Sequence, residues 1–79
     1  MSEVQMIRDQ QISLKKQARA AAVIAAKTAL RSLVQAGIYA QGKPVEEINT
    51  AEMAVHLDSL TSKQEEIQAI DQEIKELSY

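Results

Sequence analysis

The side chains best suited to acid–base or nucleophilic chemistry are His56, the single histidine of the chain, and the nearby Asp58 and Ser59. In a catalytic triad, three such groups converge beside donors that bind an oxyanion. Here all of them lie close together on one predicted helix, which cannot give that geometry. We therefore interpret His56 as a solvent-facing histidine on the flank of a helix, and we predict that the protein has no catalytic residue and is not an enzyme.

Metal and cofactor chemistry is also expected to be absent. The adjacent glutamates Glu46 and Glu47, like Glu65 and Glu66, diverge by about 100° on a helix and do not face one another. A lone histidine with one carboxylate a turn away is common by chance and does not indicate a metal site. The two glycines precede no Lys-Ser or Lys-Thr pair, which a phosphate-binding loop would need. We predict no metal ion and no cofactor.

The charges that remain divide between the two parts of the chain. Residues 1–43 hold seven of the nine Lys and Arg against two acidic residues, a net charge of +5. Residues 44–79 hold nine of the eleven Asp and Glu against two basic residues, a net charge of −7. Each part also carries a long apolar pattern of helical period. The simplest arrangement is a basic helix folded antiparallel against an acidic helix.

Local signals place the first helix and the turn. Ser2 begins a capping box, and no Gly or Pro occurs from there to Ala36, so we predict a helix over about residues 3–36. The turn is predicted at residues 37–43, because both glycines lie there and the single proline follows. Gly37 is the expected helix end, in the left-handed conformation, and Gly42 is the alternative.

The second helix is predicted over about residues 44–77. It begins either at Pro44, or after a short helical turn with Asn49 as its cap. A break is expected as an alternative near residues 61–62, where two poor helix formers are adjacent. Apolar residues of this helix recur at coiled-coil spacing. The repeat comprises Leu60, Ile67 and Ile74, with Ile70 and Leu77 three residues later.

The segment Ala20–Ala26 contains no polar residue, so every side of the first helix is apolar there. A helix in a two-helix hairpin buries one face only, and a second copy of the chain would best cover the rest. We therefore predict an all-α, antiparallel two-helix hairpin that self-associates into a dimeric four-helix bundle with coiled-coil-like packing. The predicted core and oligomer interface comprises Val23, Ile24, Leu30, Leu33, Leu57, Leu60, Ile67, Ile70 and Ile74.

The charges predict the orientation of the hairpin but leave two registers open. If the second helix starts at Pro44, the numbers of facing residues add up to about 80, and Lys15 lies near Glu65. If it starts at Thr50, they add up to about 86, and Lys15 faces Asp71. Exposed ion pairs contribute little, so the apolar residues must supply the stability.

This architecture favours a small protein–protein interaction module, an adaptor, inhibitor or scaffold that acts as a helical dimer. Its expected partners are a second copy of itself and another protein of unknown identity. Ile38 and Tyr39, an apolar pair beside the turn, are the candidate partner-binding residues. No motif identifies the pathway.

The alternative is a nucleic-acid-binding accessory protein that uses the basic first helix, because its cations could follow a line of phosphates. A net charge of −2 and the scarcity of aromatic residues count against it. The candidate contacts for this alternative are Lys15, Lys16, Arg19 and Lys27.

Composition also suggests a compartment. There is no cysteine, which fits a reducing environment. The longest wholly apolar uncharged run, Ala20–Ala26, falls short of the roughly 20 residues that a spanning helix needs. We expect a cytoplasmic protein that does not enter a membrane. Small, glutamine-rich helical chains are frequent among bacterial and phage accessory proteins, and we expect a similar origin.

Overall fold

The structure, a computed structural model, describes residues 3–78 as a hairpin of two long helices. Helix α1 spans Glu3–Gln41, and helix α2 spans Thr50–Leu77. A single 3-10 turn, Val45–Glu47, lies in the connection between them. The rod measures 64 × 15 × 12 Å. The prediction of an all-α helical hairpin is confirmed.

Helix α1 continues through Gly37 and ends at Gln41, beyond the predicted end at Ala36. Neither glycine has a positive φ, so the expected left-handed helix end at Gly37 is wrong. A glycine inside a helix costs only about 1 kcal/mol relative to alanine, and packing of the last turn against α2 offsets that cost. The helix ends where the Gly42 amide donates to the carbonyl of Tyr39, at 3.2 Å.

Helix α2 begins at Thr50 rather than at Pro44. The side chain of Asn49 accepts a hydrogen bond of 3.0 Å from the backbone N–H of Glu52, which confirms Asn49 as the cap. The helix runs without interruption through residues 61–62. The predicted cap of the first helix, Ser2, lies outside the described residues.

Contact between the helices follows two rows of buried and half-buried residues, which we call the seam. In both helices the seam residues recur at alternating intervals of three and four, the spacing that keeps one face of a helix against its neighbour. On α1 they are Ile12, Lys15, Arg19, Ala22, Ala26, Ala29, Leu33, Ala36 and Ala40, and on α2 they are Met53, His56, Leu60, Lys63, Ile67, Ile70, Ile74 and Leu77.

The seam pairs small side chains on α1 with large ones on α2. The buried residues are Ala22, Ala26 and Ala29 on α1 and Ile70 on α2, at 4–8% exposure. Alanine lets the backbones approach closely, while isoleucine and leucine supply most of the apolar area that contact removes from water. The core of a single hairpin is therefore thin.

Helix α1 is also long and apolar enough, by length and composition, to cross a membrane. Helices that pack inside water-soluble proteins pass the same test. Its apolar part includes Lys27 and Arg31, and charged side chains are costly inside a bilayer. That the chain does not enter a membrane stays a prediction.

Candidate interaction surfaces

Two ion pairs join the helices and set their register. Lys15 Nζ lies 2.5 Å from Glu73 Oε2, and Arg19 Nε lies 2.6 Å from Asp71 Oδ1. The paired residue numbers add up to 88 and 90, so both predicted registers are wrong. Lys15 faces neither Glu65 nor Asp71, because α1 continues past Gly37 and moves the chain reversal toward α2.

Arg19 binds Asp71 through two nitrogen atoms. Its Nε donates to Oδ1 at 2.6 Å and its Nη2 donates to Oδ2 at 3.4 Å. The hydrogen bond, together with the attraction between the charges, raises the pKa of Arg19 above its usual value. Both side chains are more than two-fifths exposed, so the pair specifies register and orientation rather than supplying stability.

We expect reversal of one ion pair to be rescued by reversal of its partner. Lys15→Glu places two carboxylates together and should lower the melting temperature by about 2–4 °C, and adding Glu73→Lys should restore most of the loss. Thermal melts at fixed protein concentration measure the coupling between the two changes. Lys16→Glu is the control, because Lys16 has no carboxylate partner among residues 3–78. Equal effects of Lys15→Glu and Lys16→Glu would contradict this register.

The predicted core residues fall into two groups. Leu33, Leu60, Ile67, Ile70 and Ile74 lie in the seam. The remaining four residues lie outside it, and a single hairpin leaves three of them exposed to solvent. Val23 is half-buried, whereas Ile24, Leu57 and Leu30 are 68%, 51% and 46% exposed.

Leu30 and Leu57 are therefore not part of the hairpin core, because their direction around the helix axis points away from the seam. Each follows a seam residue, Ala29 or His56, and is rotated about 100° from it around the helix. Because the helices are antiparallel, both leucines emerge on the same side of the hairpin. Their numbers add up to 87, close to the sums of the ion pairs, so they lie level with one another.

An apolar patch consequently covers one side of the hairpin in its turn half. Val34, one helical turn after Leu30, is 52% exposed and extends the patch toward the turn. Lys27 and Arg31 border it and have no acidic partner among the described residues. We call this surface the basic flank; it comprises Val23, Lys27, Leu30, Arg31, Val34 and Leu57.

The turn end carries a second exposed apolar group. Ile38, Tyr39 and Val45 are 61%, 75% and 82% exposed. An open groove of about 220 Å³ lies beside them and is lined in part by Lys43 and Met53. We call Ile38, Tyr39 and Val45 the apolar tip. Ile38 and Tyr39, the residues predicted to bind a partner, are both exposed there, although as neighbours on one helix they point about 100° apart.

His56 occupies a seam position rather than a solvent-facing flank, which corrects the interpretation from sequence. Its side chain is 29% exposed, and its Nε2 lies 3.9 Å from Glu52 Oε1. Seam spacing places it there, three residues after Met53. In the described part of the chain, no three His, Cys, Asp or Glu side chains are grouped so that they could hold a metal ion.

Comparison with known proteins found no family model, no curated protein and no solved structure that matches the chain.

Proposed function

We propose that the protein is a small non-enzymatic interaction module that acts as a helical homodimer and binds another protein. The observation that carries this proposal is the amount of apolar surface that one hairpin leaves in water. Among residues 3–78, twelve large apolar residues are exposed, whereas the buried apolar residues are three alanines and one isoleucine. Such a surface is typical of proteins that associate.

The accessible area supports the same reading. One chain exposes 6128 Å², whereas a compact monomer of this mass would expose about 4,700 Å². The excess of about 1,400 Å² is more than the roughly 800 Å² per partner of a standard interface. The radius of gyration of 18.4 Å also exceeds the approximately 12 Å of a compact domain of this length.

The basic flank is the surface that best fits a second copy. A two-fold axis parallel to the rod brings two basic flanks together and sets α1 of each copy against α2 of the other. Leu30 then packs against Leu57 of the second copy. Lys27 and Arg31 approach Asp58 of the second copy, which has no partner in its own described chain. Attraction between these opposite charges thus favours a dimer that packs α1 against α2 over a dimer that packs α1 against α1.

Binding of nucleic acid is less well supported. Lys15 and Arg19, two of its four candidate contacts, are already held by carboxylates. Lys16 and Lys27 are exposed, but a phosphate chain that reached them would also meet the acidic helix. A cytoplasmic location in solution remains part of the proposal.

The proposed partner surface is the apolar tip, and its test is capture of the tagged full chain from its native cells with nuclease present. We expect a protein to co-purify, and we expect the double change Ile38→Asp and Tyr39→Asp to abolish its recovery, because a carboxylate cannot replace an apolar anchor. Gln10→Asp with Gln17→Asp adds the same charge elsewhere on α1 and should leave recovery unchanged. Recovery of nucleic acid alone, lost on nuclease treatment, would favour the alternative function.

A further inference from the structure

The side of the hairpin opposite the basic flank has an unusual distribution of charge. On α1 its positions also recur at intervals of three and four, and from Val4 to Tyr39 none of them is charged. Three large apolar residues stand out there: Val4, Ile7 and Leu14 are 67%, 54% and 63% exposed. The full α1 row is Val4, Ile7, Gln11, Leu14, Ala18, Ala21, Ala25, Thr28, Ser32, Gln35 and Tyr39.

The adjoining row of α2 carries acidic residues as its sole charges. Its positions include four glutamates and neither Lys nor Arg: Glu52, Val55, Ser59, Ser62, Glu66, Ala69, Glu73 and Glu76. Lys15 and Lys63 reach toward this row from the seam, and each is held by a glutamate, at 2.5 and 2.9 Å respectively. With four carboxylates and two lysines, the surface keeps a net charge of −2.

We call this surface, made of the two rows, the acidic flank. Its half farthest from the turn has the shape of a docking site. A groove of about 350 Å³ lies between the two rows and is lined by Gln11, Lys15, Glu73, Glu76 and Leu77. Ile7 and Leu14 lie one helical turn before and after Gln11 on the same α1 row. The α1 wall is therefore Gln11 and Lys15, with exposed Ile7 and Leu14 to either side along the same row, and the α2 wall carries Glu73, Glu76 and Leu77.

We infer that the acidic flank docks a basic amphipathic helix of another protein. A helix with apolar residues at intervals of three and four matches the α1 row in period, which is the helix-in-groove mode of recognition. Lysine or arginine beside its apolar stripe would face the glutamates of α2, in particular Glu76, which has no cationic partner in the described chain. This inference rests on the proposed function: it gives the interaction module a docking surface separate from the turn end and names the chemistry of the helix that would bind there.

The proposed dimer leaves this flank open. The basic flanks face one another across the two-fold axis, so both acidic flanks point outward on opposite sides. The basic flank, which also combines apolar residues with cations, is covered in that dimer. It therefore does not compete with a partner helix for the acidic flank. A dimer would therefore hold two partner helices at once, as a scaffold does.

The test measures binding of a synthetic helical peptide of about three heptads, with leucine along one face and lysine elsewhere, by fluorescence anisotropy. We expect the full chain to bind it near physiological salt, and we expect Leu14→Asp to weaken binding by at least about tenfold. Glu66→Gln with Glu76→Gln should weaken binding less and reduce its salt dependence. Circular dichroism would verify that the variants remain helical.

Two matched controls act outside the flank. Val45→Asp changes an apolar residue of the turn end that is 82% exposed, and Glu46→Gln with Glu47→Gln removes two carboxylates there. Both should leave the affinity for the peptide unchanged. The same peptide with glutamate in place of lysine should not bind, because the carboxylates of the flank would repel it.

Several outcomes would overturn the inference: unchanged binding by Leu14→Asp, equal binding of the glutamate peptide, or wild-type assemblies larger than a dimer that Leu14→Asp dissociates. The last would show that a second copy of this chain occupies the flank. If the wild-type chain is a monomer but the peptide binds with the expected pattern of variants, the docking site stands and the proposed dimer does not.

Discussion

Leu30→Asp and Leu57→Asp are each expected to convert the protein from a dimer into a monomer. In the proposed dimer these leucines cover one another across the two-fold axis, so each substitution places two unpaired carboxylates in an apolar interface. Removing a charge from water without a partner costs several kcal/mol. The dissociation constant should therefore rise by more than about 100-fold.

Light scattering coupled to size exclusion at micromolar concentration measures this directly. The wild-type chain should give about twice the chain mass of 8.7 kDa, and each variant should give the chain mass. Because dimerisation stabilises the fold by mass action, the variants should also melt at lower temperature, and only the wild-type melting temperature should rise with concentration.

The matched control for these substitutions is Leu14→Asp, which makes the same chemical change on the opposite flank. Leu14 is 63% exposed and lies outside the proposed interface, so its variant should stay dimeric. A wild-type chain that is a monodisperse monomer and still melts cooperatively would contradict the dimer. Dimeric Leu30→Asp and Leu57→Asp variants would place the interface on another surface.

The secondary structure and most of the α2 seam could be predicted from sequence because their signals are local. Asn49 with Glu52 three residues later marks a helix start, and the structure has that cap. Leu60, Ile67 and Ile74 repeat at seven-residue intervals with side chains large enough to dominate any periodic pattern. Leu57 lies one residue past the seam position of His56, so a single hairpin leaves it 51% exposed, and its place in the oligomer interface stays a prediction.

The α1 seam was harder to recognise because it consists of small or charged residues. A pattern of large apolar side chains on α1 emphasises Ile24 and Leu30, both of which lie outside the contact in a single hairpin. Close approach of two helices instead selects alanine, whose apolar signal is weak. The alternation of Ala22, Ala26 and Ala29 at intervals of four and three was the signal that could have identified it.

The register of the hairpin and the position of the acidic flank both depend on which α1 residues form the seam, so neither could be predicted without identifying those residues. The register follows from where α1 ends, and Gly37 keeps a helical backbone with no positive φ, so the helix passes through it and ends at Gln41. The acidic flank is recognised by a row of α1 positions without charged residues. Such a row indicates an exposed surface only once the buried row beside it has been identified. On α1, where several faces are apolar, local sequence signals do not indicate which face packs inward.

The largest effect on stability within one hairpin is expected for Ile70→Ala. Ile70 is 8% exposed and is the single large side chain among the buried residues of the described part of the chain. By the register of the ion pairs it lies level with Arg19 and close to Ala22 on α1, and the methyl group of an alanine cannot move to fill the space that the substitution leaves. We expect a loss of about 2–4 kcal/mol, which corresponds to a fall in melting temperature of roughly 10–20 °C for a domain of this size.

The matched control is Ile38→Ala, which removes the same atoms from a side chain that is 61% exposed at the turn end. It should change the free energy of unfolding by no more than about 0.5 kcal/mol, as is usual at exposed positions. Chemical denaturation of both variants at one protein concentration keeps the contribution of dimerisation the same for each. If Ile38→Ala proved the more costly change, the helices would be packed through a different face from the one that buries Ile70. The basic and acidic flanks, which are defined by their angle from the seam, would then have to be reassigned together with it.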